Sequence, residues 1–562
     1  MISEKNKIAA ILALALALRI TGIGFGLPDV YHQDEPILVN HALSIGAGGW
    51  NTHFFIIPPF TIYLLFAAQA VYFCVGKLFG VFGTPSDFAL MFLKDPSFVY
   101  LLGRSLVGVF FGTATVWVLW LGSRRFFGER TAFWAALFLA VLPIHVRHSH
   151  YIYADIPMTF VVTCAFFILL AILETPSLAN YLRFGALLGW AASIKYTALF
   201  FAPTLLAVHF TVQKKEGFRP PQLLKLVLSG AGCIATFLLF APFSLLDWKN
   251  FSAQLFHQSG AEGFVGFSHH VVYSIAGGSG ILFTLLAVLG LVILLRTSRA
   301  KGVVAAAFLL AYYFVCVYFS QRFERYMLPL VPLLALLSAV ALETVLLFLR
   351  SKRSWVTLFV VILFLELLPP SVYLDVLFLR TDTRSQCAAW FQEHAEPGGV
   401  VVVDSRFFGP YLPPSESQVR EKYAELGDSE KDNIRKKRLD YQLRASAEKK
   451  TYDSYLLIAS GGQVISPTLF SGPFVEESPE AFKKIGARYL VVHYQSRGEE
   501  PSRILKTLSD KASLVGSFSP YRDVSRKFSS DPEASTAAPH LAAEIYSRKS
   551  LGPYLEVYRI HE

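Results

Sequence analysis

The chain has 562 residues, of which 54% are hydrophobic, 15% aromatic and only 16% charged, against roughly 25% charged in an ordinary soluble protein. That balance excludes a soluble globular chain. The formal charge of +10 does not point to nucleic acid, because the basic residues fall in short clusters between apolar runs, and no soluble segment carries a basic stripe with interleaved aromatics.

The first apolar run follows "MISEKNK" and continues to about Leu27. Arg19 interrupts its core and acids follow directly, so it reads as a retained first helix rather than a cleaved signal peptide. Further apolar segments lie at about 58–80, 99–122, 131–148, 157–174, 182–194, 197–212, 225–242, 278–295, 303–319, 326–349 and 354–374. Several reach the roughly 20 residues that a membrane-crossing helix needs, which a barrel's ten-residue alternation does not produce. The fold class is therefore a polytopic α-helical membrane protein.

Parity decides the topology. If all twelve segments span from a cytoplasmic N-terminus, "RRFFGER", "QKKEGFR", "RTSRAK" and "RSKR" all fall outside, against the positive-inside rule. If "PPFTIYLLFAAQAVYFCVGKLFG" lies along the interface instead, all four return to the cytoplasm. Its double Pro, its Tyr and Phe content and its "GKLFG" ending suit an interfacial helix. The expectation is about eleven transmembrane helices with interfacial helices in the first outer loop and a tight helical pair around "GWAASIKYTALF". Three loops then share the outer face: 28–98 with "YHQDEPIL", 149–156 with "SHYIYADI", and 245–280. The "SIKYT" turn and the "SQRFERY" stretch join them.

From about residue 375 charges become frequent. "GVVVVDS", "ARYLVVHY" and "YLEVYRI" read as strands, "PEAFKKIG" as a helix, and the run from "EKYAELGDSEKD" to "ASAEKK" as a solvated helix. The expected division is 1–374, a membrane catalytic domain, and 375–562, a soluble α/β domain outside the cytoplasm. The latter shows no Gly-rich phosphate loop, metal-spacing cluster or nucleophile elbow and is read as an acceptor-recognition module or a lid. Four of five Cys lie in apolar segments and only Cys387 in the polar region, so no disulfide framework supports the fold.

Asp34 and Glu35 emerge at a helix exit. Adjacent residues point about 100° apart on a helix, so the pair divides its tasks: one accepts a proton while the other holds substrate, or both are plain interfacial acids. Asp155 follows His148 and His150 and precedes Pro157; its ordinary alternative is an N-cap. These histidines with Asp155 lack strong metal-site spacing. Candidate anion partners are Arg104, Lys195 with Tyr196 beside it, and Arg322 and Arg325 with Tyr326 beside them. Lys195 lies in an apolar stretch, where an ammonium requires a partner. For Arg322 and Arg325 the alternative is snorkelling, and for Arg104 an internal acid. Cations facing outer carboxylates describe a phosphate site beside a proton acceptor.

"YHQDEP", "IIPPFTIYLL", "LLGRSLVGVFFGTATV", "PIHVRHSHYIYADIPMTF", "GWAASIKYTALF", "APFSLLDW" and "RFERYMLPLVPLLALLSA", in this order over about 1–350, resemble the blocks of GT-C polyprenyl-phosphate-sugar glycosyltransferases. Within these, the resemblance is to the protein O-mannosyltransferase and aminoarabinose transferase superfamily. It implies a GT-C type bundle and an inverting transfer of a sugar from undecaprenyl- or dolichyl-phosphate to a hydroxyl or amine outside the cytoplasm. By position, Asp34 matches the catalytic first-loop Asp, Glu35 its acidic neighbour and Asp155 the second-loop acid, with His150 nearby. Arg104 and Lys195 match phosphate-contacting cations, and Arg325 and Tyr326 the "RY" before a Pro-containing helix. "YADIP" carries one acid where metal-dependent oligosaccharyltransferases carry two, so no cofactor is required, though a divalent metal stays open. "H-x-D-E" at His32–Glu35 is also similar to lipid-linked-oligosaccharide mannosyltransferases, which leaves sugar and acceptor open. The partners implied are a polyprenyl-phosphate-linked sugar, a lipid, glycan or protein acceptor and the bilayer, in a bacterial inner membrane with the N-terminus cytoplasmic. The competing class is a lipid-linked-sugar flippase, for which internal repeats are expected and none is seen.

Overall fold

The computed structural model of the protein describes residues 4–216, 221–257, 267–318, 322–349, 353–404, 408–428, 430–446, 449–457, 473–494, 505–506, 508, 511–523, 539 and 541–561. Parts of two basic clusters (217–219 and 350–352), residues 258–266 of the third outer loop, Ser320 and Gln321 of "SQRFERY", and Ser405 lie outside the described residues.

All twelve apolar segments are helical. α1 (Glu4–Ile20) leads to α2 (Glu35–Gly48), α3 (Phe60–Leu78) and α4 (Pro85–Lys94) in the first outer loop. α5 (Ser97–Arg104) continues through a π turn, Ser105–Phe110, into α6 (Phe111–Phe127), followed by α7 (Glu129–Val141), the short α8 (Pro143–His148), α9 (Asp155–Glu174) and α10 (Leu178–Ile194). A 3-10 turn at Tyr196–Phe201 opens α11 (Ala202–Glu216), then come α12 (Pro221–Phe240) and the short α13 (Phe243–Leu246), α14 (Trp248–His257) and α15 (Phe267–His269). Next are α16 (Ile281–Thr297), α17 (Arg299–Cys316), a 3-10 turn at Glu324–Leu330, α18 (Val331–Phe348) and α19 (Arg353–Phe378). α19 runs through Pro369 and Pro370 to Phe378, so the boundary expected at 374 falls inside a helix.

Lipid supplies little hydrophobic drive for helix pairing, so close approach of backbones matters. In "GALLG" of α10, a Cβ on Gly185 or Gly189 would collide with the carbonyl oxygens of Ser229 and Cys233 on α12. The Ser229 hydroxyl donates to the Tyr181 carbonyl at 2.7 Å across the same seam. By length and apolarity, eight helical stretches among the described residues suffice to cross a membrane, and nine if the turn His270–Gly277 and α16, bent by 107°, are one span. α1 and α10, at 17 residues each, and α7, at 13, fall below roughly 20 residues.

Behind α19 come α20 (Thr383–His394), β1 (Val400–Val403), α21 (Glu416–Ala424), α22 (Glu430–Ser446), β2 (Asp453–Leu457), β3 (Phe474–Val475), α23 (Pro479–Ile485), β4 (Ala487–Tyr494), β5 (Ala512–Phe518) and β6 (Tyr554–Ile560). The sheet order is β3-β2-β1-β4-β6-β5; the first four strands are mutually parallel and β6 is antiparallel to both neighbours. Side chains alternate between faces: Val401, Val403 and Val491 pack with Phe391 of α20, while Val402, Leu490 and Val492 pack with Phe482 of α23. The single solvated helix expected over 421–450 is two helices, α21 and α22, parted around Gly427.

Contacts at the bundle's two ends fix how α3 runs. Glu4 meets Arg124 at 3.5 Å, Arg125 meets Glu174 at 3.6 Å, and Lys301 and Lys225 donate to the carbonyls of Phe126 and Pro176, each at 2.6 Å. The start of α1, the ends of α6 and α9 and the starts of α12 and α17 therefore share one end, with the basic clusters at 124–130 and 296–301. At the other end Arg104 meets Glu35. α1 and the α5–α6 rod are thus antiparallel, which leaves no crossing for α2, α3 and α4 between them. α22, a strongly charged helix, packs on α4 and reaches α2, where Arg438 donates to the Asn40 side-chain oxygen at 3.4 Å. Both ends of α3 therefore lie toward the α/β domain, although α3 is long and apolar enough to cross a membrane.

Candidate active site

Asp34 is the N-cap residue of α2, but its side chain makes no capping hydrogen bond. Its carboxylate sits 2.9 Å from Nη1 of Arg325, with 20% of the Asp34 side chain and 11% of the Arg325 side chain exposed. Burial opposes ionisation of Asp34, yet the Arg325 guanidinium, with His32 and Lys195 behind it, outweighs burial and holds the carboxyl below the usual aspartate range.

Glu35, the next residue around the helix, points elsewhere. Nε and Nη2 of Arg104 donate to its two carboxylate oxygens at 2.8 and 2.7 Å, and the Ile152 amide donates to Oε1 at 3.0 Å. Nη1 of Arg104 donates to the carbonyls of Ile23 and Phe25, and the guanidinium lies 4.1 Å above the Phe25 ring. Both side chains are fully buried. This corrects the expected roles of Glu35 as a second working acid and Arg104 as a phosphate contact: each is consumed by the other, and together they brace α2, α5 and the second loop. Gly108, in the π turn, lets that loop approach, since a Cβ there would strike the Ser149 carbonyl.

Lys195 ends α10, where the backbone turns extended. Its ammonium lies 2.5 Å from Oδ1 of Asp155 and 4.8 Å above the Tyr326 ring. Asp155 opens α9 but does not cap it, Ala154 being the N-cap; its partner is Lys195. Two ion pairs, Asp34–Arg325 and Asp155–Lys195, are thus joined by the consecutive residues Arg325 and Tyr326. Neither pair is sealed, since 19% of the Lys195 side chain is exposed. A carboxylate that can take a proton and two cations that can meet an anion share one face, at the end of the bundle bearing the α/β domain.

The 3-10 turn carrying Arg325 and Tyr326 is fixed through Glu324, which accepts from Arg147 and lies 3.1 Å from Nε2 of His148; Nδ1 of His148 in turn contacts the Tyr153 hydroxyl. His32 packs against the rings of Tyr151 and Tyr153 at 4.5 and 5.3 Å. Glu324, Arg147 and Tyr153 were not singled out in the sequence as site-building residues; the available signal was the acid of "RFERY" entering an apolar helix.

The other expected residues stand apart. His150 lies 2.9 Å from both the Val146 and Thr21 carbonyls and stacks on Phe378 of α19, in the core joining α1, α8 and α19. Arg322 is exposed. Tyr196 donates to the Phe55 carbonyl at 3.0 Å in a seam where first and third outer loops meet: Asn51 and His53 contact Asp247 at 2.9 and 2.6 Å, and Gln254 bonds Phe55 and His53. Hydrogen bonds from Asn51, Asn250 and His53 hold Asp247 down to about 2. No group of three or more His, Cys, Asp or Glu among the described residues is arranged to hold a metal ion.

Residues 88–245, the stretch containing Arg104, Asp155 and Lys195, match the sequence profile of the family described as dolichyl-phosphate-mannose-protein mannosyltransferase. The apo crystal structure of ArnT from Cupriavidus metallidurans is similar over 98% of both chains, with a TM-score of 0.50 and 14% identity. The same protein bound to undecaprenyl phosphate aligns over 90% of this chain and 95% of its own, with a TM-score of 0.49 and 15% identity. The Archaeoglobus fulgidus oligosaccharyltransferase aligns over 70% of this chain and 60% of its own, with a TM-score of 0.42 and 16% identity. A search of curated protein sequences finds no match. The profile match thus covers the second loop and its flanking helices, and the fold as a whole is shared with ArnT.

Proposed function

We propose that the protein is an inverting glycosyltransferase that moves a monosaccharide from a polyprenyl phosphate, of the undecaprenyl or dolichyl kind, to an acceptor hydroxyl or amine outside the cytoplasm. The observation that carries this reading is the partly exposed assembly Asp34–Arg325–Tyr326–Lys195–Asp155 on one membrane face. The name of the matched family, whose donor is a dolichyl-phosphate sugar, supports the donor class.

The chemistry follows from the charges. The acceptor O–H or N–H attacks the anomeric carbon opposite the phosphate and gives its proton to a carboxylate oxygen of Asp34. The bond from carbon to phosphate oxygen breaks, its electron pair stays on the phosphate, and Lys195 and Arg325 meet the growing charge in a site of low dielectric. An incoming phosphate competes with Asp34 for Arg325, so donor binding releases the base that the ion pair holds weak. Tyr326 fixes the Lys195 ammonium. Because each acid already faces a cation, the reaction runs without a divalent metal; EDTA leaves turnover unchanged.

The topology belongs to the same proposal: eleven crossing helices, with the basic end cytoplasmic by the positive-inside rule and the α/β domain outside a bacterial inner membrane. Incubating purified protein with labelled polyprenyl-phosphate mannose, related donors and envelope acceptors tests the function. A covalently labelled acceptor supports transfer; movement of intact donor between leaflets of a proteoliposome with no labelled product means a flippase instead.

A further inference from the structure

Tyr31 lies three residues before Asp34, in the loop between α1 and α2. Its hydroxyl donates to Oδ2 of Asp29 at 2.9 Å and lies 2.8 Å from Oγ of Ser385, which itself donates to the same Asp29 oxygen at 3.3 Å. Ser385 sits in the first turn of α20, the first helix of the α/β domain. Its neighbour Arg384 lies 3.9 Å above the Tyr31 ring, held flat by two hydrogen bonds to Asp382 at 2.8 and 2.7 Å. On the far side of Asp34, six residues on, Asn40 meets Arg438 of α22. The segment carrying Asp34 is thus gripped on both sides by the same extramembrane domain.

We propose that the α/β domain is a working part of the active site, and that Tyr31 and Ser385 are positioning residues that set Asp34 for proton transfer. A passive anchor does not need contacts converging on the base-carrying turn from two separate helices. This inference rests on Asp34 being the base. A hydrogen bond contributes a net free energy equivalent to a rate factor of about 2 to 12, and that is the size of effect expected when the grip is loosened.

The test uses the full-length protein with Ser385→Ala, Tyr31→Phe, the double variant and Ser385→Thr. The expected result is a fall in kcat of about 3- to 10-fold in each single variant with donor KM unchanged, no further fall in the double variant, and recovery in Ser385→Thr. Amide exchange across residues 30–35 speeds up in Ser385→Ala. Single variants with unchanged kcat, or a double variant whose losses multiply, overturn the proposal. If the wild type transfers no sugar from any polyprenyl phosphate, the function above fails, and exchange alone decides the grip: unchanged protection of 30–35 in Ser385→Ala overturns it.

Discussion

Asp34 and Glu35 are covalent neighbours with opposite fates. Glu35 faces inward to Arg104, and removing one partner of a buried pair leaves an uncompensated charge, at a cost of about 3–5 kcal/mol. Glu35→Gln is therefore expected to lower the midpoint of thermal unfolding in detergent sharply, whereas Asp34→Asn, at a partly open site, leaves it near the wild-type value; equal midpoints would contradict the division. For Arg325 the sign of the pH effect can be worked out. The folded-state pKa of Asp34 lies below the usual aspartate range because of Arg325, so the base form persists through neutral pH and is lost only below that range. Arg325→Met removes the main opposition to burial, the pKa rises, and the acid limb of the kcat/KM profile moves upward; a limb that stays in place sinks the assignment. Arg104's internal acid was among the readings open in the sequence, and Lys195 in an apolar run demanded a partner, found in Asp155. Tyr31 was not legible, since its partner Ser385 is 354 residues away and no local pattern encodes such a meeting.

At the scale of elements, all twelve apolar segments are helical, whereas α2, α4 and α14, in the outer loops, carry too little continuous apolarity to stand out, and charge parity alone assigns α3 to the outer interface. Cysteines at Thr52 and Ser86, before and after α3, are expected to react with an impermeant maleimide from the same side as one at Ser417 in the α/β domain; labelling of Thr52 and Ser86 from opposite sides would mean that α3 crosses. The small-residue seam of α10 gives a second check: Gly189→Leu forces two backbones apart and is expected to abolish recovery of folded protein, measured by size-exclusion chromatography, while Ala186→Leu, outside the close contacts, is tolerated. What periodicity did not show were the π turns after Arg104 and at His270–Gly277, the 3-10 turns behind Lys195 and before α18, and the strands β2, β3 and β5. Turns of one or two windings leave too few residues for a period, and "ASLVGSF" mixes faces at a sheet edge, where half the side chains meet solvent.

At the scale of the whole molecule the charges are sorted. The basic clusters at 124–130 and 296–301 gather at one end of the bundle, and the ion pairs of Asp34 and Asp155 gather at the other, under an α/β domain that grips the loop between α1 and α2. The measurement that tests this most directly is turnover of labelled polyprenyl-phosphate sugar by purified Asp34→Asn protein beside the wild type. A general base contributes about 10²- to 10⁴-fold, so the variant is expected to lose that much rate while keeping its thermal midpoint and its affinity for the donor. Asp34→Asn protein that transfers sugar at close to the wild-type rate would contradict the account.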